Sequence, residues 1–114
     1  MFKPGEIVIA AFPFTSLTSV KRRPCVVLAA GDTPGDFIVA FVTSANVASG
    51  LRSAVAIGPT HPEWKKTGLK TMSIIRADKL ETLNDSVISG AIGILPPDIL
   101  EAVRNKLKAL LQTT

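Results

Sequence analysis

Residues 24–43, PCVVLAAGDTPGDFIVAFVT, decide the fold. Two apolar runs, 24–30 and 36–43, flank Gly31-Asp32-Thr33-Pro34-Gly35, a strong cluster of turn formers. Both runs are apolar at nearly every position instead of alternating with polar residues. Strands of that kind are expected to be buried on both faces, as in a small barrel.

Working outward, residues 6–12 (EIVIAAF) are β-branched and aromatic, punctuated by Pro4-Gly5 before and Pro13 after, and read as a first strand. Residues 14–23 are rich in Ser, Thr, Lys and Arg and read as a polar loop. Residues 53–57 are a fourth strand candidate, followed by the breaker Gly58-Pro59-Thr60-His61-Pro62 and a helical turn over 63–67 around Trp64. Residues 71–76 and 87–95 are further strands, the last with Gly90 and Gly93 allowing a bend or bulge. Beyond Pro96-Pro97 the period changes. Ile99, Leu100, Val103, Leu107, Leu110 and Leu111 recur at helical spacing. Pro97 suits a first helical turn, Asp98 and Glu101 its positive end, and Lys106 and Lys108 its negative one. The expected architecture is α+β but mainly β: several short strands, then an amphipathic helix packed on them.

The 114 residues support one domain, 1–114, with one core. A hydrophobic share of 46% against 19% charged excludes a disordered polyelectrolyte tail. The longest nearly unbroken apolar run, residues 7–14, is far short of the ~20 residues that span a bilayer. No signal peptide is visible, so a soluble cytoplasmic protein without a membrane partner is expected. One cysteine (Cys25) and one histidine (His61) exclude an internal disulfide and argue against a structural zinc site; no cofactor or metal is expected.

The formal charge of +4 is segregated. Residues 1–30 carry Lys3, Lys21, Arg22 and Arg23 against Glu6 alone. Residues 52–79 carry Arg52, Lys65, Lys66, Lys70, Arg76 and Lys79 against Glu63 and Asp78. Such segregation fits a polyanion or an acidic partner, or simply a solvated basic surface. Within it, Arg23 precedes Pro24, which biases it to an extended conformation at a rigid strand start, where a guanidinium can clamp a phosphate. Thr43, Ser44 and Asn46 place polar groups at the end of the third strand, as phosphate donors or as turn caps. Arg76 and Asp78, two apart, project to one face of an extended segment, as a salt bridge or an acid/base couple. Trp64 is either a base-stacking surface or a loop anchor, His61 reads as a surface loop residue, and Cys25 as buried and inert.

Taken in order, these segments resemble the MazF/PemK (Kid) toxins of type II toxin–antitoxin systems. Gly5-Glu6-Ile7-Val8, Phe12-Pro13-Phe14-Thr15 and Lys21-Arg22-Arg23-Pro24-Cys25-Val26-Val27-Leu28 are similar to the family's first block. Val42-Thr43-Ser44 is similar to the second. Gly68-Leu69-Lys70, Ser73-Ile74-Ile75-Arg76-Ala77-Asp78-Lys79-Leu80 and Thr82-Leu83 are similar to the third, and Ile92-Gly93-Ile94-Leu95 leads into the helix.

The resemblance implies an SH3-like small barrel of the MazF/CcdB type with a C-terminal amphipathic helix, forming a homodimer. It implies a metal-independent endoribonuclease, an mRNA interferase, that cuts single-stranded RNA at short sequences. The implied partner is an acidic antitoxin, with operator DNA bound only through the toxin–antitoxin complex. Carried over by position, the implied catalytic residues are Arg23, Thr43, Arg76 and Asp78, with either pair supplying acid and base. Lys21, Arg22, Ser44, Asn46, Lys70 and Ser73 are implied RNA contacts. The loop over 14–22 lacks the acidic and glycine residues many members show, so no cut-site preference carries over. Two alternatives stay open: a binding-only toxin of the gyrase-poison type, and a homologue that keeps the fold but only binds antitoxin or nucleic acid.

Overall fold

The computed structural model describes residues 1–12, 21–44 and 51–112. Six strands, β1 (Glu6–Phe12), β2 (Lys21–Ala30), β3 (Asp36–Ser44), β4 (Ala54–Ile57), β5 (Ser73–Asn84) and β6 (Ile88–Ile94), precede one helix, α1 (Pro97–Leu111). They form one antiparallel sheet in the order β4-β5-β3-β2-β1-β6. This is the mainly-β, SH3-like barrel with a C-terminal helix that the sequence led us to expect.

The fully apolar strands are buried on both faces. On one face Ile7, Val26, Ala40, Val42, Val55, Ile75 and Ala77 pack with Leu95, Leu100 and Val103, so α1 closes this core against β4 and β5. On the other, Val8, Ala10, Cys25, Val27, Phe37, Val39 and Leu83 form a second cluster, edged by Phe2, Phe41 and Ile88. The Phe2 and Phe37 rings meet edge to face at 5.5 Å.

Two expectations change. β2 begins at Lys21, inside the segment read as a polar loop, because Lys21, Arg22 and Arg23 continue the ladder opposite Phe12, Ala11 and Ala10. β5 runs on to Asn84 instead of ending at Arg76. Ala40 of β3 faces Leu80, whereas the next residue, Phe41, faces Arg76, so residues 77–79 are accommodated in a single step of β3. This bulge bends the strand. Being three residues long, it also inverts the inside–outside phase: Ile75 and Ala77 enter the helix-side core, but Leu83 enters the opposite one.

The turn of 3₁₀ helix Trp64–Thr67 locks against β6. Gly68, at φ 71°, ends that turn in the left-handed region. A Cβ on Gly93 would stand 2.3 Å from the Lys66 carbonyl oxygen. Trp64 packs on the helix-side core and is a loop anchor. His61 lies in the turn before this 3₁₀ helix and is half-buried, its side chain 17% exposed. Its Nδ1 accepts the Glu63 N–H at 3.0 Å, so Nε2 carries the proton and donates to Asp98 of α1 at 2.9 Å. That hydrogen bond holds the Asp98 carboxyl below the usual carboxylate range. Among the described residues no helix is long and apolar enough to cross a membrane.

Gly93→Ala is expected to destabilise the protein by about 2–3 kcal/mol, the cost typical of overpacking. The urea unfolding midpoint reads it; an unchanged midpoint would show that the 3₁₀ turn yields freely.

Candidate active site

Arg23 stands near the start of β2, opposite Ala10, and by strand alternation it shares a face with Cys25 and Val27. Its backbone is fixed from both sides. Pro24 follows it, and the Cys25 thiol donates to the Arg23 carbonyl oxygen at 3.7 Å. Burial pushes that thiol up to about 12, so it stays a donor and is inert as a nucleophile, as its Val-rich surroundings suggested.

Thr43, two residues beyond Phe41 on β3, falls on this same face, as does Arg76, which pairs with Phe41 across the sheet. The result is a cavity of about 330 Å³ lined by Arg23, Phe41, Val42, Thr43, Ser44, Arg76 and Lys79. Three adjacent strands each supply part of it. A second cavity of about 220 Å³ shares Arg23, Val42, Thr43 and Ser44 and adds Lys70, Thr71 and Ser73. The Ser73 hydroxyl gives its proton to the Thr71 carbonyl oxygen at 2.8 Å, so it faces a ligand as an acceptor.

Arg76 and Asp78 form a two-pronged ion pair. Nε donates to Oδ1 at 3.0 Å and Nη2 to Oδ2 at 2.6 Å. Arg76 retains 17% of its side-chain exposure and Asp78 32%. The hydrogen-bonded guanidinium holds the Asp78 carboxyl below the usual carboxylate range, and the carboxylate holds Arg76 above its already high value. Arg76 lines the cavity; Asp78 does not.

The other expected RNA contacts are distributed unevenly. Arg22 lies on the opposite face from Arg23 and donates from Nη1 to Ser89 Oγ on β6. Lys21 is exposed, on Arg23's face but outside both cavities. Ser44 borders both cavities, and Lys70 and Ser73 border the second. Asn46 lies outside the described residues. Lys79 and Phe41 were not singled out from the sequence. Lys79, in the β5 bulge, lines the cavity; its sequence signals were the excess of cations over residues 52–79 and its place in the third family-like block. Among the described residues no group of three or more His, Cys, Asp or Glu is arranged to hold a metal ion.

A small β-barrel with arginines, a lysine and hydroxyls converging on one face is equipped to bind a phosphodiester. The sequence profile of the PemK-like, MazF-like toxins of type II toxin–antitoxin systems matches residues 3–111. The chain belongs to this family, whose members are generally endoribonucleases. No curated protein matches it by sequence. A chain of the MazE–MazF crystal structure (form II) from Deinococcus radiodurans is 27% identical and superposes with a TM-score of 0.75, covering 99% of this chain and 97% of that one. An endoribonuclease in complex with its cognate antitoxin, from a mycobacterial species, superposes at 0.75 with 15% identity over 100% and 98% of the two chains. A MazF toxin of Mycobacterium tuberculosis superposes at 0.72 with 20% identity over 96% and 98%. The last two likenesses are of fold.

The ion pair has a pH signature. Asp78 has a folded-state pKa below its unfolded one, so the pair stabilises the fold above the ordinary carboxylate range near ~4, and that contribution is lost as pH falls through the depressed value. The stability deficit of Asp78→Asn relative to the parent should therefore be present at neutral pH and shrink as pH falls below about 4. Urea midpoints of both proteins across that range check this; a deficit constant with pH would assign it to packing.

Proposed function

We propose that this chain is the toxin of a type II toxin–antitoxin module and a metal-independent, sequence-specific endoribonuclease acting on single-stranded RNA in the cytoplasm. The observation that carries the reading is the convergence of Arg23, Thr43, Arg76 and Lys79 on one cavity. RNA brings its own nucleophile. The 2′-hydroxyl loses its proton, its oxygen bonds to phosphorus, the bond from phosphorus to the 5′-oxygen breaks, and that oxygen takes up a proton. The products are a 2′,3′-cyclic phosphate and a 5′-hydroxyl end. Neither a protein nucleophile nor a metal is required by this route, which fits an inert cysteine.

What the protein must supply is charge aimed at the phosphorane, with proton transfer at either end. Arg23 and Thr43, on neighbouring strands of one face, contact the phosphate. Arg76 stabilises the developing charge, Lys79 adds a third cation, and Asp78 completes the set as the counter-ion of Arg76. Ser44, Lys70 and Ser73 contact the adjoining nucleotide in the second cavity. A cation-rich cavity is also the place for an acidic antitoxin segment to lie, as charge complementarity favours. A homodimer, and operator binding through the antitoxin complex, complete the reading.

Arg23→Ala is expected to lower cutting of a long, structure-poor RNA in excess EDTA by about 10²-fold or more, with an unchanged urea midpoint. Discrete cuts with 5′-hydroxyl ends support the reading; intact RNA with the parent protein would turn it toward a binding-only toxin. Lys79→Gln should weaken RNA binding uniformly and reduce the slope of log K against log salt by about 0.7, the value for one lost phosphate contact on a single strand. An unchanged slope would remove Lys79 from the RNA path.

A further inference from the structure

The second cavity holds about 220 Å³, less than the ~300–1,000 Å³ of pockets that enclose a whole ligand, and so has room for one ring system. It shares Arg23 and Thr43 with the first cavity, so a base seated in it stays next to the phosphate held there. Pro24 and Leu69 give it apolar wall, but among the described residues no aromatic side chain lines it. Stacking is in any case tolerant of sequence, since every base has a π face. Discrimination in this cavity falls to the polar groups that meet the base edge.

Those groups are held in one orientation. Ser73 opens β5, paired with Ser44 of β3 on one side and Ile57 of β4 on the other. It is 6% exposed, and its hydroxyl proton is committed to the Thr71 carbonyl oxygen at 2.8 Å. To donate to a ligand, the hydroxyl would have to forfeit that bond. The segment leading to Thr71 is tied down in turn. Thr67, fully buried, donates from Oγ1 to the Trp64 carbonyl oxygen at 2.7 Å and accepts the Leu69 N–H at 3.1 Å. Ser73 Oγ therefore meets a base as a fixed acceptor.

We propose that the second cavity is a base-selecting subsite in which Ser73 Oγ accepts a hydrogen bond from an exocyclic amino group, so that adenine, cytosine or guanine is preferred there over uracil. Its place in cleavage rests on the ribonuclease reading; its chemistry rests on the Ser73–Thr71 hydrogen bond. Each of the three favoured bases carries an amino group that supplies the N–H. Uracil has carbonyl oxygens on both sides of its single ring N–H, and an oxygen turned to Ser73 Oγ sets acceptor against acceptor.

The test uses 2′-O-methyl hexanucleotides, which lack the nucleophile and cannot be cut, with binding read by fluorescence anisotropy in excess EDTA. The parent protein is expected to bind the all-cytosine hexamer about tenfold more tightly than the all-uracil one. A hexamer of 2-pyrimidinone, which is cytosine without its amino group, should fall to the uracil level. That deletion is made on the ligand and leaves the fold of the protein untouched. In Ser73→Ala the three hexamers should bind within about twofold of one another, the loss falling on cytosine. Equal binding of cytosine and 2-pyrimidinone by the parent, a preference that survives Ser73→Ala undiminished, or no binding of any hexamer overturns the proposal. Discrete cuts in a long RNA that are flanked by uracil as often as by other bases overturn it too. If the parent cuts no RNA, the ribonuclease reading fails alone, while the hexamer ratios still uphold or refute the base pocket.

Discussion

The bulge at residues 77–79 of β5 is the constraint on which the rest of the molecule depends. A regular twelve-residue strand would keep one phase along its length and serve one core. Three extra residues against one step of β3 let the same strand line the helix-side core with Ile75 and Ala77 and the opposite core with Leu83. The bulge cannot be a slack loop, because Ala77 is fully buried and its N–H is taken by the Ser53 carbonyl oxygen. Its exposed side carries Asp78 and Lys79. The bend that allows a short chain to enclose two apolar clusters is therefore also the device that gathers charge at the cavity.

Charge gathered in this way has to be held. Each cation reaches the cavity from an element fixed for another reason. Arg23 is held by Pro24 and by the buried thiol on its carbonyl oxygen, Arg76 by its carboxylate, and Lys79 by the bulge. Three cations against the single carboxylate of Asp78 leave two positive charges around a half-enclosed space, where their field is less screened than in open water. On the proposed reading this is what a phosphorane needs, since preorganised charge costs no reorganisation when the transition state forms.

Much of this was legible in the sequence, and the parts that were not share a cause. β1 was read with its observed bounds because Gly5 and Pro13 punctuate it, and α1 because the apolar period changes to a helical one after Pro97. The two-sided burial of β2 and β3 was written in their unbroken apolar runs. β5 was lost at Arg76 because the bulge inverts the alternation there, and a period-2 reading sees an inversion as an end. The start of β2 was lost because cations joined to a neighbour's ladder look like a solvated loop. The tie of His61 to Asp98 was not legible because Asp98 lies on α1, far along the chain. Lys79 reaches the cavity only through the inverted phase, and the bulge is pinned by a backbone bond from Ala77 to Ser53, which no side-chain pattern announces.

The same geometry bears on the oldest ambiguity of the Arg76/Asp78 spacing. Two residues apart in an extended strand, they share a face whether they are a salt bridge or an acid/base couple. On the proposed reading a proton acceptor would have to border the cavity and keep a basicity near neutrality; Asp78 is not among the residues lining it, and the guanidinium holds its carboxyl low. An electrostatic partner has the opposite requirements, a fixed plane and a charge that never titrates in the working range, and on that reading Arg76, with Nε and Nη2 both on the Asp78 carboxylate, meets both. Spacing alone could not separate these roles because both demand proximity. On the proposed reading, what separates them is which of the two side chains lines the cavity, and that is Arg76.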